Sequence, residues 1–370
     1  MILRIPDFYQ DFSCIADKCT DSCCIGWEID IDEDTYEYYY NLPGELGERF
    51  RKKVFETEDG EYGLRLDERG RCPFLDEHNL CDICSAFGEE ALSEVCTEYP
   101  RTTIAYGDVI QKCLGLSCVE AGRMVFERED PIGLIEVPMP DMAYDAEPEE
   151  DEDPAWYAFL EAAQNRTFEI LQNRSFTVWE RMELYLDYAR AVQEVISGED
   201  IDDASWDITK VSWEMPARRT VQKKQGESID SFDTYLDRIY MLDQMDILNA
   251  EWLGVKKTLD EQKEEDYRIQ METWLSSKDC RETEYEHLLV YFNYRYLLRT
   301  IYDYNFLTRA RLAVTYTKII RDMDALRYQA NGGHYDTADR IDVVRIFSKE
   351  MEHSEDNFKT AEEEIEFSSL

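Results

Sequence analysis

The sequence predicts a mainly α protein in which a small, mixed, cysteine-rich N-terminal region is followed by a longer α-helical one. Three observations carry that prediction. Ten of the eleven cysteines lie between Cys14 and Cys118. After Pro154, apolar residues recur at helical spacing. Between the two stretches, residues 141–153 hold eight Asp or Glu, with prolines at Pro148 and Pro154. Like charges repel and proline breaks helices, so this segment reads as an acidic linker or exposed loop. The expected organisation is a cysteine-rich metal or iron–sulfur region over 1–140, the linker over 141–153 and an α-helical region over 154–370.

In the first region, Trp27, Ile29 and Ile31 alternate with Glu28 and Asp30, which predicts a short strand. Asp32 or Asp34 then caps a helix over 36–42, ended by Pro43 and Gly44. Residues 89–98 form a short helix stopped by Pro100, and 116–129 form another. Residues 131–140 are extended. Beyond the linker, Ser175 caps a helix that Gly198 stops, and Val178, Met182, Tyr185, Ala189, Val192 and Ile196 share one face of it. Helices are expected over 231–253, 261–276 and 284–327, the last breaking near 303–308 and ending at Gly332 and Gly333. Another covers 338–353, after which the acidic tail frays. Residues 197–207 and 223–228 are loops. The aromatic-rich helix faces are expected to be core.

The chain carries 82 acids against 40 bases, a formal net charge of −42. Such a surface repels nucleic acid and anionic lipid and favours basic partners. No apolar stretch approaches the ~20 residues of a membrane span, and the N-terminus lacks the pattern of a signal peptide. The expectation is a cytoplasmic protein that binds neither nucleic acid nor membrane. In a reducing compartment its cysteines are not a disulfide framework.

The cysteines fall at positions 14, 19, 23, 24, 72, 81, 84, 96, 113 and 118. Thiolates are soft ligands suited to zinc or iron–sulfur clusters. Ten allow two four-thiolate centres, or one centre beside ordinary buried thiols. Adjacent side chains on an extended backbone point opposite ways, so Cys23 and Cys24 suit two neighbouring centres. The scarcity of histidine favours an all-cysteine set, either iron–sulfur or zinc. Cys280 stands apart as a core thiol.

Several of these segments also resemble a known family. Residues 12–27 read Phe-Ser-Cys-Ile-Ala-Asp-Lys-Cys-Thr-Asp-Ser-Cys-Cys-Ile-Gly-Trp, and they resemble the opening of the flagellin lysine N-methylases. The stretches 72–81 with 96–101, and 116–123, resemble that family's second and third cysteine blocks; the opening and the second block also resemble a broader group of zinc- or iron-chelating proteins. Residues 347–357, Phe-Ser-Lys-Glu-Met-Glu-His-Ser-Glu-Asp-Asn, are similar to its closing motif. The resemblance implies methyl transfer from S-adenosylmethionine to lysine side chains of flagellin or a similar surface protein. It implies a [4Fe–4S] cluster whose ligand candidates are Cys14, Cys19, Cys23, Cys24, Cys72, Cys81, Cys96 and Cys118. Cys84 and Cys113 depart from the family pattern and read as ordinary thiols or extra ligands. The alternative is a non-catalytic metal-binding or iron–sulfur protein with a redox or structural role.

No Gly-x-Gly-x-Gly loop follows a strand, and no Cys-x3-Cys-x2-Cys occurs, so neither common methyl-donor motif locates the donor. His353 is a candidate base or substrate clamp, although it also suits a helix end. Arg101, beside Cys96, is a candidate partner for a thiolate cluster. His78 reads as a turn residue. Arg295, Arg299, Arg309, Arg311 and Arg321 read as surface partners of neighbouring acids.

Overall fold

The structure is a computed structural model that describes residues 1–26, 29–57, 60–138, 153–198, 205–216 and 229–367. Its C-terminal region is helical and its strands lie in the first 138 residues. Two hydrophobic cores organise these elements. The smaller contains Ile29, Ile31, Tyr39, Phe50, Leu64, Cys72, Phe74 and Ile83. It is closed by a three-stranded sheet in which Tyr62–Leu64 lies between Asp30–Ile31 and Val54–Glu56, antiparallel to both. The expected strand around Ile31 is therefore present and short, and Trp27 and Glu28 lie outside the described residues.

The larger core joins the helices to a four-stranded sheet. The hairpin Arg101–Tyr106 and Val109–Leu114 turns at Gly107, whose φ of +51° suits glycine. Val109–Leu114 runs parallel to Ile2–Pro6, which pairs antiparallel with Leu134–Pro138. Alternation places Ile5 in the core and Arg4 on the opposite face, where Arg4 is buried against Glu136 at 2.7 Å and against Glu161. The Tyr294 hydroxyl donates to the Arg4 carbonyl at 2.7 Å, so the sheet is bonded to the helices and not merely stacked on them.

Helix Glu282–Tyr296 is the spine, buried along nearly its whole length. Its acids cannot be buried as free charges, and arginines from other helices meet them. Glu286 accepts from Arg181 at 2.5 Å and Arg174 at 2.9 Å, and Glu284 from Arg340 at 3.0 Å. Arg340 also holds Asp324 at 2.6 Å. Arg238 and Arg321 similarly share Asp230 and Asp322. The three cations around Asp230 hold its carboxyl far below the ordinary range, overcoming the opposing effect of burial.

Several expected boundaries shift for local reasons. Pro43 and Gly44 end one helix, Glu33–Tyr40 capped by Asp32, but also begin the helix Gly44–Lys53. The 89–98 helix splits into a 3-10 turn Glu89–Ala91 and Glu94–Glu98. Ser175 is not the cap of the helix Val178–Gly198. Its hydroxyl bonds Asn173, and Thr177 exchanges bonds with Glu180 in a capping box. The 231–253 stretch breaks into Phe232–Asp243 and Ala250–Asp260, because Asn249 caps the second helix. The long helix breaks as expected, with Tyr304 at φ +58° and Asn305 capping Phe306–Ala330. Helix Thr337–Met351 follows, opened by an Asp336 capping box. The tail does not fray after Glu352, since Glu355–Phe367 is a helix burying Phe358, Ala361 and Ile365. The Asp and Glu run 141–152, and the loop segments 199–204 and 223–228, lie outside the described residues.

Arg340→Met leaves Asp324 and Glu284 without their cation, and unfolding in urea is expected to show a loss of about 3–5 kcal/mol. Arg190→Met, which removes an exposed pair with Asp187, is expected to cost at most about 0.5 kcal/mol. Burial pushes the Glu350 carboxyl up to about 7. The folded state thus holds this proton more tightly than the unfolded chain, and stability falls as pH rises through that range. The stability difference between wild type and Glu350→Gln is expected to decline from about pH 4.5 to 7 and to level off above it.

Candidate functional site

The cysteines sit on loops and helix starts that backbone bonds draw together. The Cys72 N–H donates to the Cys24 carbonyl at 2.8 Å, and Gly26 N–H to Gly70 at 3.0 Å, which ties the first cysteine loop to the second. Asp76 turns the chain through Asn79, at φ +61°, and so brings Cys81 back beside Leu75. Cys81 and Cys118 occupy the N-cap positions of Asp82–Phe87 and Val119–Phe126. Burial raises the pKa of both thiols, and the N–H groups of Ile83 and Cys84, and of Glu120 and Ala121, oppose that rise. Helix starts favour thiolate in this way.

The thiols form one connected set with Cys23 at its centre. Cys23 and Cys24 sulfurs are 3.8 Å apart. Cys23 lies near enough to raise the pKa of Cys19, Cys72, Cys81 and Cys96. Cys14 does the same for Cys19, Cys84 and Cys118. Burial dominates in each of three positions, and it pushes Cys72 up to about 12, Cys96 to about 11 and Cys118 to about 12. A buried thiol is deprotonated readily only if a positive centre replaces its lost solvent.

Cys23 thus neighbours Cys19, Cys24, Cys72, Cys81 and Cys96, and Cys14 neighbours Cys19, Cys84 and Cys118, which links the eight ligand candidates pair by pair. Cys113 does not join them: it is buried, 2.8 Å from the Thr102 hydroxyl and beside Arg295. Cys280 lies in the helical core, near Arg340. Among the described residues, no group of three or more His, Cys, Asp or Glu is placed to hold a metal ion. The donor set thus does not surround a single ion as it stands. Its chemistry and this linkage do fit a thiolate-held cluster, whose ligands are spread over several corners instead of one point.

The closing helix completes the site. Asp21, in the first cysteine loop, is paired with Lys349 and with Arg345 at 3.1 Å. Lys349 also donates to the Ser22 carbonyl at 3.3 Å, and it opposes the rise of the Cys23 pKa. Both cations are buried on Thr337–Met351. Just beyond that helix, His353 Nε2 lies 3.0 Å from the Ser117 hydroxyl, next to Cys118. Tyr99 packs edge-on against His353 at 6.2 Å, and its hydroxyl is 3.2 Å from Ser117. Burial, then Arg295 and Lys349, push His353 down to about 3. The imidazole is neutral at neutral pH.

Arg101 faces elsewhere, stacked on Phe12 at 5.4 Å with one N–H directed at the Thr97 carbonyl. His78 is exposed beside Glu77. The five arginines do pair with acids or carbonyls, but Arg309 and Arg321 are buried and not on the surface. The sequence reading missed Asp21, Lys349, Ser117 and Tyr99. Lys349 lay inside the closing motif, and Ser117 beside Cys118, but Lys349 meets Ser22, and Ser117 meets His353, across more than 200 positions.

In the reduced, metal-free chain, iodoacetamide at neutral pH is expected to modify exposed Cys14 first and Cys72, Cys96 and Cys118 slowly. Mass spectrometry of peptides reads the order, and equal rates at all four would contradict the buried thiol network.

Part of the chain is 29% identical over 134 residues to the flagellar biosynthetic protein FliU of Salmonella muenchen, covering 35% of this chain and 79% of that protein. It is likewise 29% identical over 136 residues to the lysine-N-methylases of Salmonella choleraesuis and Salmonella typhimurium. Those matches cover 35% of this chain and 34% of each enzyme, so the chain spans about a third of their length. No solved structure matches. Residues 164–370 match the FliB lysine N-methylase C-terminal domain. That stretch is more than half of the chain and includes every helix that closes over the cysteine loops, and the chain belongs to the flagellin lysine N-methylase family.

Proposed function

We propose that the chain is a cytoplasmic, S-adenosylmethionine-dependent methylase of lysine side chains on flagellin or a similar surface protein, with a cysteine-held [4Fe–4S] cluster. The observation that carries this reading is the joint between the two regions. The family-matched helical region places Lys349, Arg345 and His353 directly on the loops that carry Cys19, Cys23 and Cys118. The lysine-methylase names of the relatives support the reaction class.

Four of Cys14, Cys19, Cys23, Cys24, Cys72, Cys81, Cys96 and Cys118 would hold one [4Fe–4S] cluster, and all eight would suffice for two. Bound there, a cluster would supply an electron-transfer or Lewis-acid centre. Zinc is the other metal that such a donor set accepts. Lys349 lies beside Cys23 and partly neutralises a crowded set of thiolates.

The methyl acceptor must be a neutral amine, and an ordinary lysine is protonated at neutral pH. With its pKa pushed to about 3, His353 is far too weak a base to deprotonate it. It serves instead as a neutral polar group, held by Ser117 and Tyr99, that orients the acceptor without repelling it. Desolvation on entry lowers the lysine pKa and supplies the neutral form. The formal charge of −42 draws a lysine-rich partner toward the site. Among the described residues, no helix is long and apolar enough to cross a membrane.

The test is incubation of the anaerobically purified protein with methyl-labelled donor and flagellin, followed by peptide mass spectrometry. Label on lysine side chains is the expected result, with KM rising several-fold as ionic strength increases. No transfer by protein with its metal centre intact would overturn the catalytic reading in favour of a redox or structural metal protein.

A further inference from the structure

A cavity of about 380 Å³ opens between the Arg101–Tyr106/Val109–Leu114 hairpin and the end of helix Glu282–Tyr296. Its size lies within the range of small-molecule sites. Two of its lining side chains carry polar atoms without a hydrogen-bond partner, Gln111 Oε1 and Arg295 Nη1. Gln111 is 3% exposed, and its Nε2 donates to the Tyr294 carbonyl at 2.6 Å, which fixes the amide so that Oε1 is the atom left over. Arg295 Nε donates to the Tyr296 hydroxyl at 2.8 Å and lies 3.5 Å from Glu352, and Cys113 lies against the guanidinium, which leaves Nη1 as the atom without a partner. Leaving a buried donor and a buried acceptor unsatisfied is costly, so such atoms point to a ligand that satisfies them.

The ligand chemistry follows from the two orphans. One accepts a proton and the other donates, beside a buried cation. An α-amino acid presents the matching pair, a carboxylate for Arg295 and an ammonium for Gln111 Oε1. The rest of the wall is formed by the hairpin residues Thr102 to Ala105, by Arg299 and by the tyrosines, of which Tyr296 is already stacked on Phe358 while Tyr302 is exposed and presents a ring to a flat aromatic group. A molecule that joins an α-amino acid to a purine fits the two orphans and this exposed ring.

We propose that this cavity binds the methyl donor, with Arg295 and Gln111 holding its amino-acid end and the exposed Tyr302 receiving its base. The proposal rests on the methylase reading and adds the location that the sequence motifs lack. The position suits the chemistry. Arg295 contacts Glu352, the residue before His353, so the cavity and the cysteine site share one turn of the closing segment.

Calorimetry on the anaerobically purified full chain tests this without depending on activity. The probes are S-adenosylhomocysteine and 5′-methylthioadenosine, which lacks the amino-acid end. Wild type is expected to bind the first at least about tenfold more tightly than the second. Gln111→Leu is expected to remove most of that difference. Thr103→Trp, on an exposed lining residue, is expected to weaken both ligands about tenfold or more while thermal melting stays unchanged. Variants that fold and bind S-adenosylhomocysteine like wild type would overturn the location and leave the methylase reading standing. A wild type that binds neither nucleoside would overturn both.

Discussion

The contact on which the site depends is the pairing of Asp21 with Arg345 and Lys349. Without it, the first cysteine loop has little to hold it against the helices, since the helix Ala16–Lys18 beside it is a single 3-10 turn with no buried residue. Both cations are nearly removed from water, so each needs its carboxylate to avoid a large desolvation cost. Specificity follows from that cost. A loop displaced by one residue would strand Lys349, since Arg345 keeps Glu251 and Asp342, whereas the correct register pairs Lys349 with Asp21 and brings it to Ser22.

The same constraint recurs throughout the helical region. A chain with 82 acids and 40 bases places many of its arginines in the interior, between helices. Arg181, Arg238, Arg321 and Arg340 are among its largest fully buried side chains. These pairs are weak evidence for added stability, because a well-packed apolar substitute often does as well. They position helices, however. Arg340 bridges Glu284 on the spine to Asp324 on Phe306–Ala330. Its helix then carries Arg345 and Lys349 onto the cysteine loops. Surface acids are left in large excess, which is the charge pattern a lysine-rich partner would meet.

Much of this was legible in the sequence, and what was not has a common cause. The cysteine blocks, the Asp32 cap, the break near Asn305 and the glycine stop after Ala330 are local signals, set by residues a few positions apart. The apolar face from Val178 to Ile196 is likewise written in periodicity. The parallel pairing of Ile2–Pro6 with Val109–Leu114 is not, because no local pattern names a partner a hundred residues away. The hairpin itself had a readable signal in β-branched residues on either side of Gly107 and Asp108. The reading of the five arginines as surface groups failed where burial, a tertiary property, decides: Arg321 is fully buried. The ligand candidates came from the resemblance, but the place of Cys23 beside Cys19, Cys24, Cys72, Cys81 and Cys96 needed coordinates.

The account's central claim is that the closing helix, through Asp21, holds the thiols in one cluster-binding site. It is tested most directly by iron and acid-labile sulfide analysis, with visible absorption, of anaerobically purified wild type and Asp21→Asn. The account predicts iron and sulfide with broad visible charge-transfer absorption in wild type. In Asp21→Asn it predicts marked loss of both, with helical circular dichroism retained. Zinc or no metal in wild type, or full iron in the variant, would contradict it.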